Sequence, residues 1–186
     1  PGRFATVGET DSEWAFCRLL DRLAALWDQR TEEAPPLAER MAAISSYAET
    51  LRTLGPANFI YADKTGNIAY VYNAALPDRS EGPNWRTVLD GSDPALVWSG
   101  PVEYGELPRY QNPASGWLYN ANNAPYTAAG AGSDLSPGDF APELGVELKQ
   151  TNRSRRAWKL LSEADRLDRA TLEEIKYDTG YAREGY

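Results

Sequence analysis

Two β-rich runs joined by a short polar turn set much of the architecture available to this chain. Residues 58–63 (NFIYAD) and 67–72 (NIAYVY) flank Lys64, Thr65 and Gly66. Runs rich in aromatic and β-branched residues on either side of a glycine-containing turn are typical of a β-hairpin. The chain is therefore expected to contain an antiparallel sheet, and residues 116–119 (GWLY) are predicted to be a further strand.

Two helices are predicted before the hairpin. Thr10 and Glu13 form a capping box that opens the first helix, over about residues 11–29. The second helix is predicted to open around Thr31 and the Pro35-Pro36 pair, since proline is tolerated in a first turn. Apolar residues recur at helical spacing in both and are expected to pack into a core: Phe16, Leu20, Leu23, Ala24 and Trp27 in the first, and Leu37, Met41, Ile44, Ala48 and Leu51 in the second.

Two more helices are predicted near the C-terminus. Residues 153–167 have helical spacing, and Thr171 with Glu174 forms a capping box for a short last helix. Residues 76–116 and 127–146 are rich in proline, glycine and small residues and are predicted to be loops. The pattern favours an α+β fold in which helices cover an antiparallel sheet. No internal repeat or domain boundary is visible, so residues 1–186 are expected to form a single domain or a fragment of a larger one.

Composition excludes several classes of function. The net charge of −8 and the pI of about 4.7 argue against binding to a phosphate backbone. No apolar run approaches the roughly 18 residues of a membrane helix, and the single cysteine rules out an intrachain disulfide. The chain has no histidine, which removes the Ser-His and Cys-His nucleophile pairs.

An asparagine cluster is the strongest candidate for chemistry. Asn120, Asn122 and Asn123 lie within the sequence NANNAP at the end of the predicted strand. An asparagine NH2 group can donate hydrogen bonds to a developing alkoxide in acyl transfer. Side-chain hydrogen bonds that hold a turn before Pro125 are the alternative. Arg153, at the start of a predicted helix, is a second candidate, with solvated surface charge as its alternative.

The acidic and aromatic residues suggest alternative functions. Asp134, Asp139 and Glu143 could ligate calcium through oxygen, although they lack EF-hand spacing and solvated loop charge is the favoured reading. Residues 108–116 are interpreted as a rigid connector. The chain could instead be a non-catalytic module that binds glycan or peptide in an aromatic groove; this groove would be formed by Trp14, Trp85, Trp98 and Trp117. A carboxylate-pair glycosidase ranks last because no acidic spacing points to such a pair.

Four segments, in this order, resemble the penicillin acylase family. They are NFIYADKTGNIAY at 58–70, NPASGWL at 112–118, NANNAP at 120–125 and NRSRRAWKLL at 152–161. The resemblance covers about residues 30–180. It implies an N-terminal-nucleophile hydrolase with an αββα sandwich, in which the N-terminal serine of a large chain attacks an amide and its own α-amine acts as the base.

The resemblance also assigns residues. Asn122 matches the oxyanion-hole asparagine, and Arg153 matches the arginine near the active site that helps to hold this asparagine and the amine of the serine. Asp134 lies near a position that ligates a structural calcium in some members. No other cofactor is implied. The implied partners are a small-molecule amide substrate, the small chain and the rest of the large chain, with neither nucleic acid nor membrane. A periplasmic or secreted enzyme, linked to antibiotic biosynthesis, is the implied setting.

One departure from the family is large. Pro1 carries no side-chain nucleophile, and the Ser-Asn opening of the large chain is absent. The nucleophile is therefore expected to lie outside this chain, which would be an inactive fragment of the large chain. The sequence leaves the substrate-binding residues unknown.

Overall fold

The computed structural model describes residues 2–30 and 33–182. The chain divides into two compact units, Pro1–Ala57 and Asn58–Tyr186, each of which is described by itself. No helix in the described part of the chain is long and apolar enough to cross a membrane.

The first unit is a pair of helices, α1 (Asp11–Asp28) and α2 (Leu37–Arg52). The predicted cap of α1 is confirmed, since Thr10 Oγ1 accepts a hydrogen bond from Glu13 N at 3.2 Å. The Glu13 carboxylate reaches further back than a capping box requires and accepts from the backbone N–H groups of Val7 and Gly8. Helix α2 begins after Pro36; the predicted contribution of Thr31 lies outside the described residues.

The two helices bury one narrow face each. On α2 the predicted stripe is confirmed at Ile44, Ala48 and Leu51. On α1 the prediction is partly wrong, because Phe16 and Trp27 are 57% and 41% exposed while Leu19 and Leu23 are buried. A helix that packs against one partner covers only the residues that face this partner, so the outer members of a wide apolar stripe stay in contact with solvent.

The second unit contains a three-stranded antiparallel sheet. Its strands β1 (Phe59–Ala62), β2 (Ile68–Val71) and β3 (Arg109–Gln111) lie in sequence order. The predicted hairpin is confirmed as β1 and β2. Asp63 Oδ1 accepts from the backbone N–H groups of Thr65 and Asn67 at 2.8 and 3.1 Å, and Gly66 adopts a φ of 87° in the turn.

The strand predicted at residues 116–119 is wrong. This segment is irregular, and the third strand instead lies at Arg109–Gln111, within the predicted connector. Gly116 turns the chain with a φ of 75°, and Tyr119 N then donates to Ala128 O at 3.0 Å. The segment therefore pairs with the return of its own loop and does not extend the sheet.

The core of the second unit joins the sheet to this loop. Tyr70 of β2 and Tyr110 of β3 stack with ring centroids 6.3 Å apart, and Ala128 and Ala129 complete the buried cluster. Partly buried side chains packed around it include Leu118 and Leu135. The α+β class is confirmed. The sequence predicted that helices cover the sheet, but the residues packed in this cluster come from the sheet and from the irregular segment 118–135.

Two helices close the described chain, α3 (Asn152–Glu163) and α4 (Arg169–Lys176). Helix α3 ends earlier than the predicted residue 167. The predicted Thr171 cap of α4 is also wrong, because Asp168 is the N-cap and its side chain accepts from Thr171 N at 3.0 Å. Hydrogen bonds from the Thr171 backbone and hydroxyl hold the pKa of Asp168 below its usual value, as expected for a carboxylate at a helix N-terminus.

Candidate functional site

The asparagine cluster lies in a loop whose two ends are tied together. Tyr119 N donates to Ala128 O, which closes residues 119–128 into a compact turn that contains the short helical segment Pro125–Thr127. Asn123 is buried in this loop with 5% of its surface exposed. Its side chain bonds entirely to the loop backbone and to Thr127, so the sequence alternative of an asparagine-held turn is realised at this residue.

Asn122 projects out of the same loop. It is exposed and has a φ of 60°, in the left-handed region. Asparagine enters this region more readily than most residues. The Asn122 N–H donates to Asn120 Oδ1 at 2.7 Å, which is a local side-chain bond of the kind that stabilises turns. The backbone therefore turns the Asn122 side chain away from the loop interior.

Arg153 meets this asparagine from the first turn of α3. Its Nη2 donates to Ala121 O at 3.0 Å and to Asn122 Oδ1. Thr151 caps α3, with its hydroxyl oxygen accepting from Ser154 N at 3.1 Å. The structure thus brings together the two residues that the sequence selected, although they are 31 positions apart in the chain.

A tyrosine ties the loop to the start of α3. The Tyr119 hydroxyl donates to Ser154 O at 3.0 Å, and Ser154 is fully buried. Burial raises the pKa of Tyr119 further above neutral pH than its ordinary value, so the hydroxyl keeps its proton well into the alkaline range. The loop that carries Asn122 and the helix that carries Arg153 are consequently joined at two points.

The charge on Arg153 fixes the orientation of the Asn122 amide. A guanidinium group has only donors, so the amide atom that it contacts must be the oxygen. The NH2 group of Asn122 then points away from Arg153, and it makes no hydrogen bond to the residues that the structure describes. A positive charge at the oxygen also polarises the amide and strengthens its N–H groups as donors.

A cleft of about 570 Å³ opens beside this pair. Asn120, Ala121 and Arg153 line one part of it. Apolar side chains of α3 and α4 line another part: Ala157, Leu160, Leu161, Leu172 and Ile175. Arg156 and Asp178 form a two-point ion pair across its wall at 2.8 Å. Arg156, three positions after Arg153 on α3, therefore joins this helix to the segment after α4.

The acidic candidates are dispersed. Asp134 Oδ1 accepts from the backbone N–H groups of Ala129 and Gly130, and Oδ2 accepts from Trp158 Nε1 at 3.4 Å. No group of three or more acidic, cysteine or histidine side chains suited to a metal occurs in residues 2–30 and 33–182. These residues do not by themselves form a calcium site, and the role of Asp134 as a ligand stays a prediction that needs donors from elsewhere.

Two of the four tryptophans of the alternative groove share one arginine, and the other two have different neighbours. Trp85 and Trp98 lie about 6 Å from the Arg79 guanidinium, with centroid distances of 5.9 and 6.0 Å. Trp117 packs against Tyr119 at 6.0 Å, and its ring fills the space next to Gly130. Trp14 belongs to the first unit and lies beneath Arg18. Arginine contacts of this kind are common stabilising features of folded proteins.

Sequence reasoning missed Tyr119 and the distinct role of Asn123. An aromatic residue before an asparagine run gives no signal of a hydroxyl contact 35 positions away. The Asn-Asn pair before Ala124 gave a partial signal, because one member of such a pair can face the loop while the other faces outward.

Comparisons with known proteins identify the family of the chain. The sequence matches the family model described as penicillin amidase over residues 28–184, a stretch that contains Asn122 and Arg153. The penicillin G acylase of Escherichia coli is 34% identical over 117 residues, which cover 60% of this chain and 14% of that protein. The chain thus spans a small part of this relative's length. Because the family match extends over most of the sequence, the chain belongs to the penicillin amidase family.

Proposed function

We propose that this chain is part of the large chain of an acylase, in which Asn122 stabilises the negatively charged oxygen formed during amide hydrolysis. The observation that carries the proposal is the contact of Arg153 Nη2 with Asn122 Oδ1, which leaves the asparagine NH2 group facing outward. A donor held in advance at the place where charge develops contributes roughly 3–4 kcal/mol to an acyl-transfer barrier.

The reaction needs a nucleophile from outside the described residues. In the proposed mechanism an N-terminal serine attacks the amide carbonyl, and its α-amine, with a pKa near ~8, accepts the hydroxyl proton. The carbon–nitrogen bond then breaks, the proton passes to the departing amine, and water hydrolyses the acyl-enzyme ester to the free acid. Asn122 would donate to the carbonyl oxygen in both tetrahedral intermediates.

The rest of the proposal is supported by family membership alone. The antiparallel strands β1, β2 and β3 would belong to one sheet of an αββα sandwich completed by other parts of the large chain. The small chain would be the second partner, the substrate a linear amide, and the location the periplasm or the exterior of the cell. If a structural calcium is present, Asp134 would be one ligand among several supplied by the whole enzyme.

The test is a turnover measurement on the processed enzyme that contains this chain. We expect it to hydrolyse phenylacetyl or fatty-acyl amides, and Asn122→Ala to lower kcat by about 10²–10³-fold, as loss of an oxyanion donor does elsewhere. Asn58→Ala, which alters an exposed asparagine before β1, is the matched control and should keep its turnover. Full turnover in Asn122→Ala would refute the assigned role.

A further inference from the structure

The backbone N–H and C=O groups of Ala121, the residue before Asn122, are both held by side chains. On one side, Ala121 N donates to Asn123 Oδ1 at 2.8 Å. On the other side, Ala121 O accepts from Arg153 Nη2 at 3.0 Å. Asn122 is therefore held through the backbone of its neighbour Ala121, and one of the two side chains that hold this neighbour belongs to Asn123.

The Asn123 side chain is saturated with hydrogen bonds. Its Nδ2 lies within bonding distance of Ala124 O at 3.0 Å, Thr127 O at 3.3 Å and Thr127 Oγ1 at 3.2 Å. The residue is 5% exposed, so these bonds have little competition from water. Asn123 thus links the segment before Asn122 to the Pro125–Thr127 turn after it.

The conformation of Asn122 needs such a link. Its φ of 60° is a left-handed conformation that an unbraced loop leaves readily. The bond from Asn122 N to Asn120 Oδ1 braces it on one side, and the Asn123 bridge braces it on the other. The Asn122 side chain moves with its own backbone. A shift of this backbone would therefore carry the Asn122 amide away from Arg153.

We propose that Asn123 is a positioning residue for catalysis: its buried side chain holds Asn122 in the conformation from which the outward NH2 group can meet the oxyanion. Asn120 is the weaker second brace. This inference rests on the proposed function of Asn122 and adds the means by which this function is preorganised. Neither Asn120 nor Asn123 touches the reacting atoms in this arrangement.

A double-mutant cycle in the processed enzyme tests the proposal. We expect Asn123→Ala to lower kcat by about tenfold to a hundredfold, since misplacement by about 1 Å can cost roughly 10²-fold, while KM changes little. In an Asn122→Ala background the same change should have almost no further effect on kcat, because Asn123 acts only through Asn122.

Two controls separate positioning from general loosening. Asn73→Ala removes another fully buried asparagine of the second unit, and its effect on kcat should be the same in both backgrounds. Asn120→Ala removes the exposed-side brace with less risk to folding, and it should show a smaller kcat loss that also vanishes in the Asn122→Ala background.

The outcomes are distinct. If Asn122→Ala keeps full turnover, the proposed function fails, and the positioning role fails with it. Suppose instead that Asn122→Ala loses turnover, and that the fold-loss of kcat in the double variant equals the product of the two single losses for Asn123→Ala or Asn120→Ala. The positioning role is then overturned and the proposed function stands. A crystal structure of Asn123→Ala adds a readout independent of activity, because residue 122 should leave the left-handed region; an unchanged φ there would also overturn the inference.

Discussion

Arg153 performs two tasks with one nitrogen. Its Nη2 contacts both a backbone carbonyl, Ala121 O, and a side-chain oxygen, Asn122 Oδ1. A planar guanidinium suits this arrangement because its donors have a fixed direction, whereas a lysine ammonium is a flexible point charge that holds a second acceptor poorly. The residue type, and not only its charge, therefore matters at this position.

Substitution of Arg153 by lysine tests this distinction. We expect Arg153→Lys to keep the positive charge but lower kcat by about tenfold to a hundredfold, since the Asn122 amide would lose its fixed orientation. The measurement is steady-state hydrolysis of an acyl amide by the processed enzyme. Arg86→Lys, in the exposed loop at 84–87, is the control; equal turnover in both variants would show that charge alone suffices.

Two glycines in the loop after the site provide a stability test. Gly130 has a φ of 85°, and a Cβ there would lie 2.4 Å from Trp117 Cζ2, whereas Gly132 has a φ of 81° and open space around it. Gly132→Ala should lower the free energy of unfolding by about 1–2 kcal/mol through its backbone conformation. Gly130→Ala should lower it by about 1–3 kcal/mol more through overpacking.

Urea unfolding of the two variants and the parent protein gives both values. Similar losses for the two substitutions would mean that Trp117 moves aside without cost, and that its ring does not pack firmly against the loop.

Individual residues of the site were predictable to different degrees. Asn122 and Arg153 could be selected from the sequence because each lies in a short segment that resembles the family, and the structure places them in contact. The partners of Asn123 and Tyr119 depend on how the loop closes on itself and on α3. Such contacts are determined by tertiary packing, and local composition carries little information about them.

At the scale of elements, the sequence predicted an element correctly where all the residues that determine it lie within a few positions of one another. The hairpin was predictable because Asp63, Thr65 and Gly66 supply the turn chemistry within a few residues. Residues 116–119 have equally β-like composition but no neighbouring strand, since the loop returns at Ala128. Helix α4 offers two possible N-cap residues. The sequence predicted Thr171, whereas the structure has Asp168 at the N-cap.

The tyrosines that join the sheet to the loop predict a loss of stability at alkaline pH. Tyr110 is 6% exposed, donates to Pro125 O at 2.6 Å and accepts from Leu135 N at 2.9 Å. Burial raises the pKa of Tyr110 from 10.0 to about 12, and it raises the pKa of Tyr70 and Tyr119 as well. The folded state therefore keeps protons that the unfolded state releases above pH 10.0.

The sign follows from this difference in bound protons. The free energy of unfolding should be constant with respect to these groups below their unfolded pKa and should fall as the pH rises from 10.0 to about 12. Urea unfolding across this range should show a shallower fall for Tyr110→Phe than for the parent protein. An identical slope would mean that the Tyr110 phenol titrates alike in the folded and unfolded states.

At the scale of the whole molecule, the described residues supply the proposed donor, Asn122, and the side chains that hold it. Asn122 and Arg153 are both exposed, and the cleft beside them is open. Both features suit a surface that other segments of an acylase would cover.

Isolated residues 1–186 should accordingly have no acylase activity. The measurement is release of a chromogenic amine from phenylacetyl and fatty-acyl amides at high protein concentration, with the complete processed enzyme as the positive control. Turnover by the isolated chain that survives purification would show that a nucleophile lies within it and that the proposed serine is misplaced.

The most direct test concerns the tetrahedral state itself. The probe is a boronic acid in which boron replaces the carbonyl carbon of the preferred acyl group. The serine oxygen would bond to boron, and the tetrahedral adduct would place a negatively charged oxygen in the oxyanion site. We predict that Asn122→Ala weakens its binding by about 10²–10³-fold, in parallel with the loss in kcat/KM, while KM for the amide stays nearly constant. Equal affinity of the boronic acid for the parent enzyme and the Asn122→Ala variant would contradict the assignment of Asn122 as the oxyanion donor.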